Sequence, residues 1–388
     1  MSTKIFEPLA IKGKIVPNRF FAQAMEGNDC ENGGQPSPRT INRYEKLAEG
    51  KWGAVLMEAT SVIETSLARI NGMIINKKNL DSIKRLVEIF RQHNNECLLL
   101  LQITHSGQNG GPFSDVTTLT SPAANSRQRH LSAEEIGLIR DRFIEGGILA
   151  QQAGFDGIDL KMCHGYFGAE MLRPSNTRDD EWGGSFEMRT RFLTEAVGGI
   201  KSGITNGNFI LGSRLSMYEG IRGGCGTAGP DEIIEDLSQM FDVIRLMDKL
   251  GMDYVNVSAG IPALTGTITR PTETSKYLAY HHLRYSKEVK NLLWNEKRNL
   301  KVIGSAYSTF KAQAIEMAEE MLCKDYVDLC GFGRQIFADP LMPKKIFAGE
   351  PVNWCVLCSG CAKLMISQIN DGCIVYNDYY RELNKSCK

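Results

Sequence analysis

The sequence predicts an α/β protein closed as a (β/α)8 barrel, and three observations carry that expectation. Eight short apolar segments punctuate the chain at roughly even intervals. Between most of them run stretches with apolar residues at helical spacing. Several of the apolar segments open at their C-terminal ends into polar residues able to do chemistry, which is how such barrels build their sites. Alternating strand and helix patterns imply parallel strands joined by right-handed crossovers. An open doubly wound sheet is the alternative. It would want a GxGxxG turn after the first strand, and the residues after Ala24 read MEGNDC instead.

In chain order, the strand-like segments are 19–24 (RFFAQA), 53–59 (GAVLMEA), 98–103 (LLLLQI) and 155–160 (FDGIDL), then 209–215, 253–257 (DYVNV), 301–304 (KVIG) and 326–331 (YVDLCG). Helical patterns cover 82–93, 132–153, 187–201, 231–250 and 309–321. Ser132 followed three residues later by Glu135 is a capping-box start, and Pro230-Asp231-Glu232 reads as another helix start. The stretch 258–275 (SAGIPALTGTITRPTETS) is rich in Gly, Pro and Thr and lacks helical period. It is expected to be a long loop after the sixth strand, where a barrel places a cover for its substrate.

Composition narrows the function classes. The chain has 388 residues, 42% hydrophobic and 23% charged, enough for a large core. Lys+Arg and Asp+Glu both number 45, so no basic excess argues for nucleic acid. The most continuous apolar run, 97–101, is too short to cross a bilayer, and the N-terminus shows no apolar signal region. A cytoplasmic protein that spans no membrane is expected. Composition shifts near Glu350, dividing the chain into a barrel, 1–350, and a cysteine-rich segment, 351–388.

The stretch 156–192 (DGIDLKMCHGYFGAEMLRPSNTRDDEWGGSFEMRTRF) is the richest in chemistry. Its strand runs out into Lys161, His164 and Tyr166. On the same face a barrel would gather Gln102 after the third strand and Arg214 from the fifth. Gly304-Ser305 would follow from the seventh and Gly333-Arg334 from the eighth. Glycines there free backbone N–H groups to cradle a phosphate, with Arg334 adding charge, or they simply turn the chain. Arg214 among apolar neighbours needs an anion, an acceptor or an interior ion pair. Gln102 serves equally as a ligand or as a hydrogen-bonded core amide.

Eleven cysteines are many for a chain of this composition, and four near its end, Cys355, Cys358, Cys361 and Cys373, are spaced C-x2-C-x2-C-x11-C. Three close thiolates and one distant thiolate suit a [4Fe–4S] cluster; a structural zinc tends to use two separated C-x2-C pairs.

These residues carry a resemblance to the old yellow enzyme family of FMN-dependent barrels, in particular its iron–sulfur branch, which includes 2,4-dienoyl-CoA reductase, enoate reductases and trimethylamine dehydrogenase. The likeness runs from FEPLAIKGKIVPNRF through LQITHSG and the 156–192 block to GFGRQIFADP. It implies that Gln102 and Arg214 hold the flavin pyrimidine edge and that Gly333 and Arg334 form its phosphate-binding turn, to which the glycine reading adds Gly304 and Ser305. Backbone at Ala24 and Met25 would line the ring system. Tyr166 is implied as the proton donor in reduction of an activated C=C bond, and the four cysteines as cluster ligands. Lys161 and His164 stand where many members carry two His, or His and Asn, to grip the substrate carbonyl. The long members' C-terminal flavin- and nicotinamide-binding region has no counterpart, so an external electron-donor protein is expected, with NAD(P)H as the alternative. Oxidative amine demethylation would call for an aromatic cage, for which Phe167, Trp182 and Tyr218 are the candidates. A non-catalytic electron-transfer subunit is the remaining alternative.

Overall fold

The computed structural model describes residues 3–120 and 127–387. Eight parallel strands close into a barrel in chain order. They are β1 (Phe20–Ala22), β2 (Ala54–Ser61), β3 (Leu98–Thr104), β4 (Gly157–Met162), β5 (Ile210–Ser216), β6 (Tyr254–Ser258), β7 (Lys301–Gly304) and β8 (Leu329–Phe332). Closure comes from β8 pairing with β1, Cys330 opposite Phe20. The outer helices are α1 (Pro38–Glu49), α2 (Leu80–His93), α3 (Ala133–Gln152), α4 (Phe186–Gly203), α5 (Ser238–Lys249), α6 (Ala279–Asn295) and α7 (Ala314–Cys323), with short turns of helix between.

Strand alternation decides what fills the barrel. Phe21, Leu56, Leu98, Leu100, Ile210, Tyr254, Ile303 and Leu329 point inward and form their own packed cluster, distinct from the larger layer between strands and helices. Burying each such side chain contributes about 1.5–3 kcal/mol. An N-terminal hairpin, Leu9–Ile11 with Lys14–Val16, plugs the lower mouth by adding Ile11 and Val16 to this cluster. Lys14 to Asp156 at 2.6 Å and Lys12 to Asp253 at 3.1 Å fasten the hairpin to the loops that enter β4 and β6. Apolar filling at the bottom leaves the upper ends of the strands to polar residues.

Two predicted helix boundaries differ from the structure. Pro230-Asp231-Glu232 does not start a helix. Thr227 and Glu235 bridge as an antiparallel pair, and α5 starts at Ser238, whose N–H donates to Asp236 at 2.9 Å. The pattern over 309–321 is split. Lys311 has φ of 52°, so a 3-10 stretch, Tyr307–Gln313, precedes α7. By contrast Ser132 and Glu135 cap α3 reciprocally, as their spacing implies. The stretch 258–275 is mainly loop, with one helical turn at Gly266–Thr269 and the start of a 3-10 stretch, Glu273–Leu278.

The segment beyond residue 350 crosses the upper mouth and is bonded at both ends. Cys355 N–H donates to Gln335 and Gln335 Nε2 to the Asn353 carbonyl, both at 2.9 Å. At the far end Asp371 N–H donates to the Gly27 carbonyl at 2.7 Å, and Asn370 Nδ2 to Asn28 at 2.6 Å. It forms part of the barrel's rim.

Candidate active site

The upper ends of the strands line a partly open cleft of about 140 Å³. Among the residues predicted for the site, Ala24, Met25, Gln102, Lys161, His164, Tyr166, Arg214, Ser305, Gly333 and Arg334 all border it. Gly304 does not. A side chain there would run into Val327 at 2.8 Å and the Tyr307 hydroxyl at 3.0 Å, so this glycine faces the outer layer. The aromatic cage for an amine is not assembled. Phe167 packs edge-on against Phe192, Trp182 is buried under Arg191, and the Tyr218 hydroxyl donates to the Ile233 carbonyl, all away from the cleft.

The floor is a hydrogen-bonded lattice. Gln23 and Asn256 pair through both amides at 2.8 and 2.9 Å. Arg214 Nη1 donates to Gln23 Oε1 at 2.8 Å and Nη2 to Ser258 Oγ at 3.3 Å. Gln102 donates to Asp159 at 2.8 Å, and Asp159 also accepts from Tyr254 Oη and the Arg214 N–H. Burial pushes the Asp159 carboxyl up to about 6, against the pull of Gln102 and Arg214. Burial likewise works against the Arg214 charge. Its Nε, and Nη1 of Arg334, are buried donors without a partner. Such donors are costly unless a ligand meets them. At Gly333 a Cβ would find nothing closer than Met25 Sδ at 3.6 Å, so the backbone stands open to the cleft. Ala306 beside it takes a left-handed φ of 73°, a strained turn that re-aims the chain after β7. Two orphan guanidinium donors and an open glycine fit a planar polar ring with an attached phosphate, as FMN presents.

The wall beyond β4 is built by a sharp turn. His164 and Gly165 both adopt positive φ, 62° and 71°. A non-glycine residue there costs roughly 1–2 kcal/mol, which local bonds offset. His164 N–H donates to Ser216 Oγ at 3.0 Å and Gly165 N–H to Glu219 at 3.1 Å. The turn places Tyr166 beside Lys161, whose Nζ lies 3.2 Å from the centre of the phenol ring. His164 Nε2 meets Ser258 Oγ at 2.7 Å. Burial, then Arg214 and Lys161, hold His164 well below its ordinary value, so it stands neutral at pH 7.

Several residues in the cleft were not anticipated. Glu26 receives the Tyr166 hydroxyl at 3.4 Å, faces Lys161 at 3.8 Å and pairs with Arg69 at 3.0 Å. Burial opposes its charge, but Arg69 and Lys161 outweigh it and hold the carboxyl below its usual range. Arg270 and His282 come from the loop after β6 and from α6, while Met365 and Asp371 come from the C-terminal segment. None lies in a local pattern that marks it; only closure of the barrel brings them together.

Cys355, Cys358, Cys361 and Cys373 line one small cavity with Phe337, Ile374 and Val375. All four are free thiols. Leu357 and Ser359 take left-handed φ of 60° and 59°, which curls the C-x2-C-x2-C stretch around the cavity. Arg334 borders both this cavity and the cleft, so the two sites adjoin.

Comparison with known proteins gives the family and the fold. The family model described as "NADH:flavin oxidoreductase / NADH oxidase family" matches residues 4–353. An NADH oxidase of Thermoanaerobacter brockii is 26% identical over 374 residues, 92% of this chain and 53% of that protein. An NADPH dehydrogenase of Clostridium acetobutylicum is 29% identical over 346 residues, 87% of this chain and 92% of that protein. The solved complex of 2-naphthoyl-CoA reductase with 2-naphthoyl-CoA superposes with a TM-score of 0.82 at 21% identity, covering 98% of this chain and 58% of that one. The chain thus spans little more than half the length of two of these relatives.

Proposed function

The chain belongs to the NADH:flavin oxidoreductase / NADH oxidase family, FMN-dependent oxidoreductases on a (β/α)8 barrel, and from that premise we propose that it reduces an activated C=C bond of enone, enoate or dienoyl type. The observation that carries this reading is one cleft shared by a phenol, an ammonium and a neutral imidazole, above a floor of amide and guanidinium groups.

Gln23, Gln102 and Arg214 would hold the FMN pyrimidine edge, and Ser305, Gly333 and Arg334 its phosphate. When held there, FMN would supply the hydride that the β-carbon of the alkene takes up. The protein's own residues do the rest. Tyr166 Oη gives a proton to the α-carbon; a phenol suits this because it is neutral at pH 7 and can be stabilised once deprotonated. Lys161 over the ring and Glu26 at the hydroxyl fix the orientation of that group. Lys161 and His164 hold the carbonyl oxygen on which charge develops. Ser258 accepts from Arg214, so its own hydrogen can serve His164 Nε2 and leave Nδ1 as the N–H donor.

The four cysteines would hold a [4Fe–4S] cluster, a one-electron carrier adjoining the cleft through Arg334. Cys358 is exposed, which offers an external protein donor a point of entry. NADH or NADPH is the small-molecule donor that the relatives' names suggest. The test is anaerobic purification with flavin, iron and sulfide analysis, then turnover of matched enones and enoates with each donor. Flavin-containing protein that reduces none of them, under any donor including dithionite, would overturn the reductase reading.

A further inference from the structure

Asp159 lies within β4, fully buried among the groups that floor the cleft. Three donors converge on it. Gln102 Nε2 at 2.8 Å and the Arg214 N–H at 3.1 Å share Oδ1, and Tyr254 Oη meets Oδ2 at 3.1 Å. The first bond spends the Gln102 amide nitrogen, so its oxygen is what Gln102 can offer a ring N–H in the cleft. An asparagine at this position would meet the same three groups. Its oxygen would take the two N–H donors, and its NH2 would turn to the Tyr254 oxygen. The hydrogen bonds therefore do not require a charge, and burying a carboxylate is costly. The charge that favours it is that of Arg214. That guanidinium makes no ion pair among the described residues; its Nη groups go to Gln23 and Ser258.

We infer that Asp159 is a positioning residue that sets the flavin's reduction potential, by orienting the Gln102 amide and offsetting the Arg214 charge at the pyrimidine edge. This rests on the floor of the cleft holding FMN, as proposed above, and not on which alkene is reduced. Reduction adds negative charge to that edge, and a neighbouring charge tunes how readily it forms. Arg214 alone would stabilise the reduced form and make it a poorer hydride donor. A carboxylate close by opposes that and keeps the hydride transferable. The ionisable groups facing Asp159 are Arg214, Tyr254 and Cys163. Burial lifts the Tyr254 phenol well above its ordinary value and the Cys163 thiol up to about 12, so both stay neutral where Asp159 titrates, at about 6.

The experiment measures the midpoint potential of the bound FMN by anaerobic reduction against indicator dyes. It compares the unaltered protein with Asp159→Asn, well above and well below the Asp159 titration. Above it, the Asp159→Asn flavin should be the more easily reduced, its reduced-to-oxidised ratio at a fixed dye potential raised roughly ten-fold. Below it, where Asp159 itself is protonated, the two proteins should agree within about two-fold. Tyr254→Phe keeps the charge and removes one donor to it, so the bend in potential against pH should move to higher pH. That variant decides the matter should Asp159→Asn fail to hold flavin. Equal potentials above the titration overturn the inference, because the charge then does nothing. A difference that is the same at both pH values overturns it too, since only hydrogen bonding is then at work. So does a bend that Tyr254→Phe leaves unmoved. The potential is read without any alkene. Flavin that shows the predicted potentials while the protein reduces no alkene would sink the reductase reading alone.

Discussion

Lys161 holds its Nζ 3.2 Å from the centre of the Tyr166 ring, and the two residues compete for the same carboxylate. Glu26 accepts from the Tyr166 hydroxyl and faces Lys161. A phenol between a cation and an acceptor is oriented before substrate arrives. If Tyr166 is the proton donor, Tyr166→Phe lowers kcat for alkene reduction by roughly 10²–10⁴-fold. Flavin reduction by the donor should proceed at its normal rate. Stopped-flow measurement of the two half-reactions separates them.

Lys161 is the departure from the pair of His, or His and Asn, expected at this wall, and its charge is central to the account. Lys161→Met removes a cation from the phenol and from the carbonyl oxygen together. A hydrogen bond to a charged group is worth about 1.5–3 kcal/mol, so kcat/KM should drop by roughly 10- to 100-fold. Glu26 then loses one of the two cations that hold it ionised, and the acid limb of the kcat/KM profile should move upward in pH. An unmoved acid limb would separate Lys161 from Glu26.

Two buried histidines, His105 and His282, and the half-buried His164 set an acid limit on stability. Burial holds His105 at about 3, His282 at about 4 and His164 well below 6.5. In the unfolded chain each binds a proton as pH falls through about 6.5. The folded protein refuses those protons, so its stability is full above that pH and is lost progressively below it, down to the folded values. Each histidine contributes about 1.4 kcal/mol per pH unit within the window. Urea unfolding midpoints should fall steeply between pH 6.5 and 4. His282→Asn should soften the slope, since a carboxamide takes up no proton in this range.

The cysteine cavity predicts a metal-dependent rim. Cys361→Ala should abolish bound iron and sulfide while the barrel still folds. Met365 and Asp371 lie on the same segment, so loosening of that rim should also open the cleft, seen as faster hydrogen exchange over 360–372. Iron content equal to that of the unaltered protein would remove Cys361 from the ligand set.

The barrel was legible because its strands are buried on both faces and read as short apolar runs. The polar strand ends and the cysteine spacing were legible for the same reason: each is a local departure from an apolar or ordinary background. Gly304 was misplaced because a glycine at a strand end can face either layer, and only packing against Val327 and Tyr307 decides. Glu26, Arg69, Arg270 and Asp371 were not visible. They sit in irregular loops more than forty residues apart, and their significance is a matter of mutual distance. The helix expected at Pro230 is absent because the backbone there pairs Glu235 with Thr227, and the Asp236 side chain caps the turn that leads into Ser238.

The most direct test of the central claim is the reoxidation of flavin by substrate. Protein reduced with dithionite under anaerobic conditions is mixed with an unsaturated acid while flavin absorbance is followed. The account predicts rapid return of the oxidised spectrum with formation of the saturated acid, and return slowed at least a hundred-fold in Tyr166→Phe. Flavin that stays reduced in the presence of every enoate and enone, or that reoxidises equally fast without the Tyr166 hydroxyl, would contradict it.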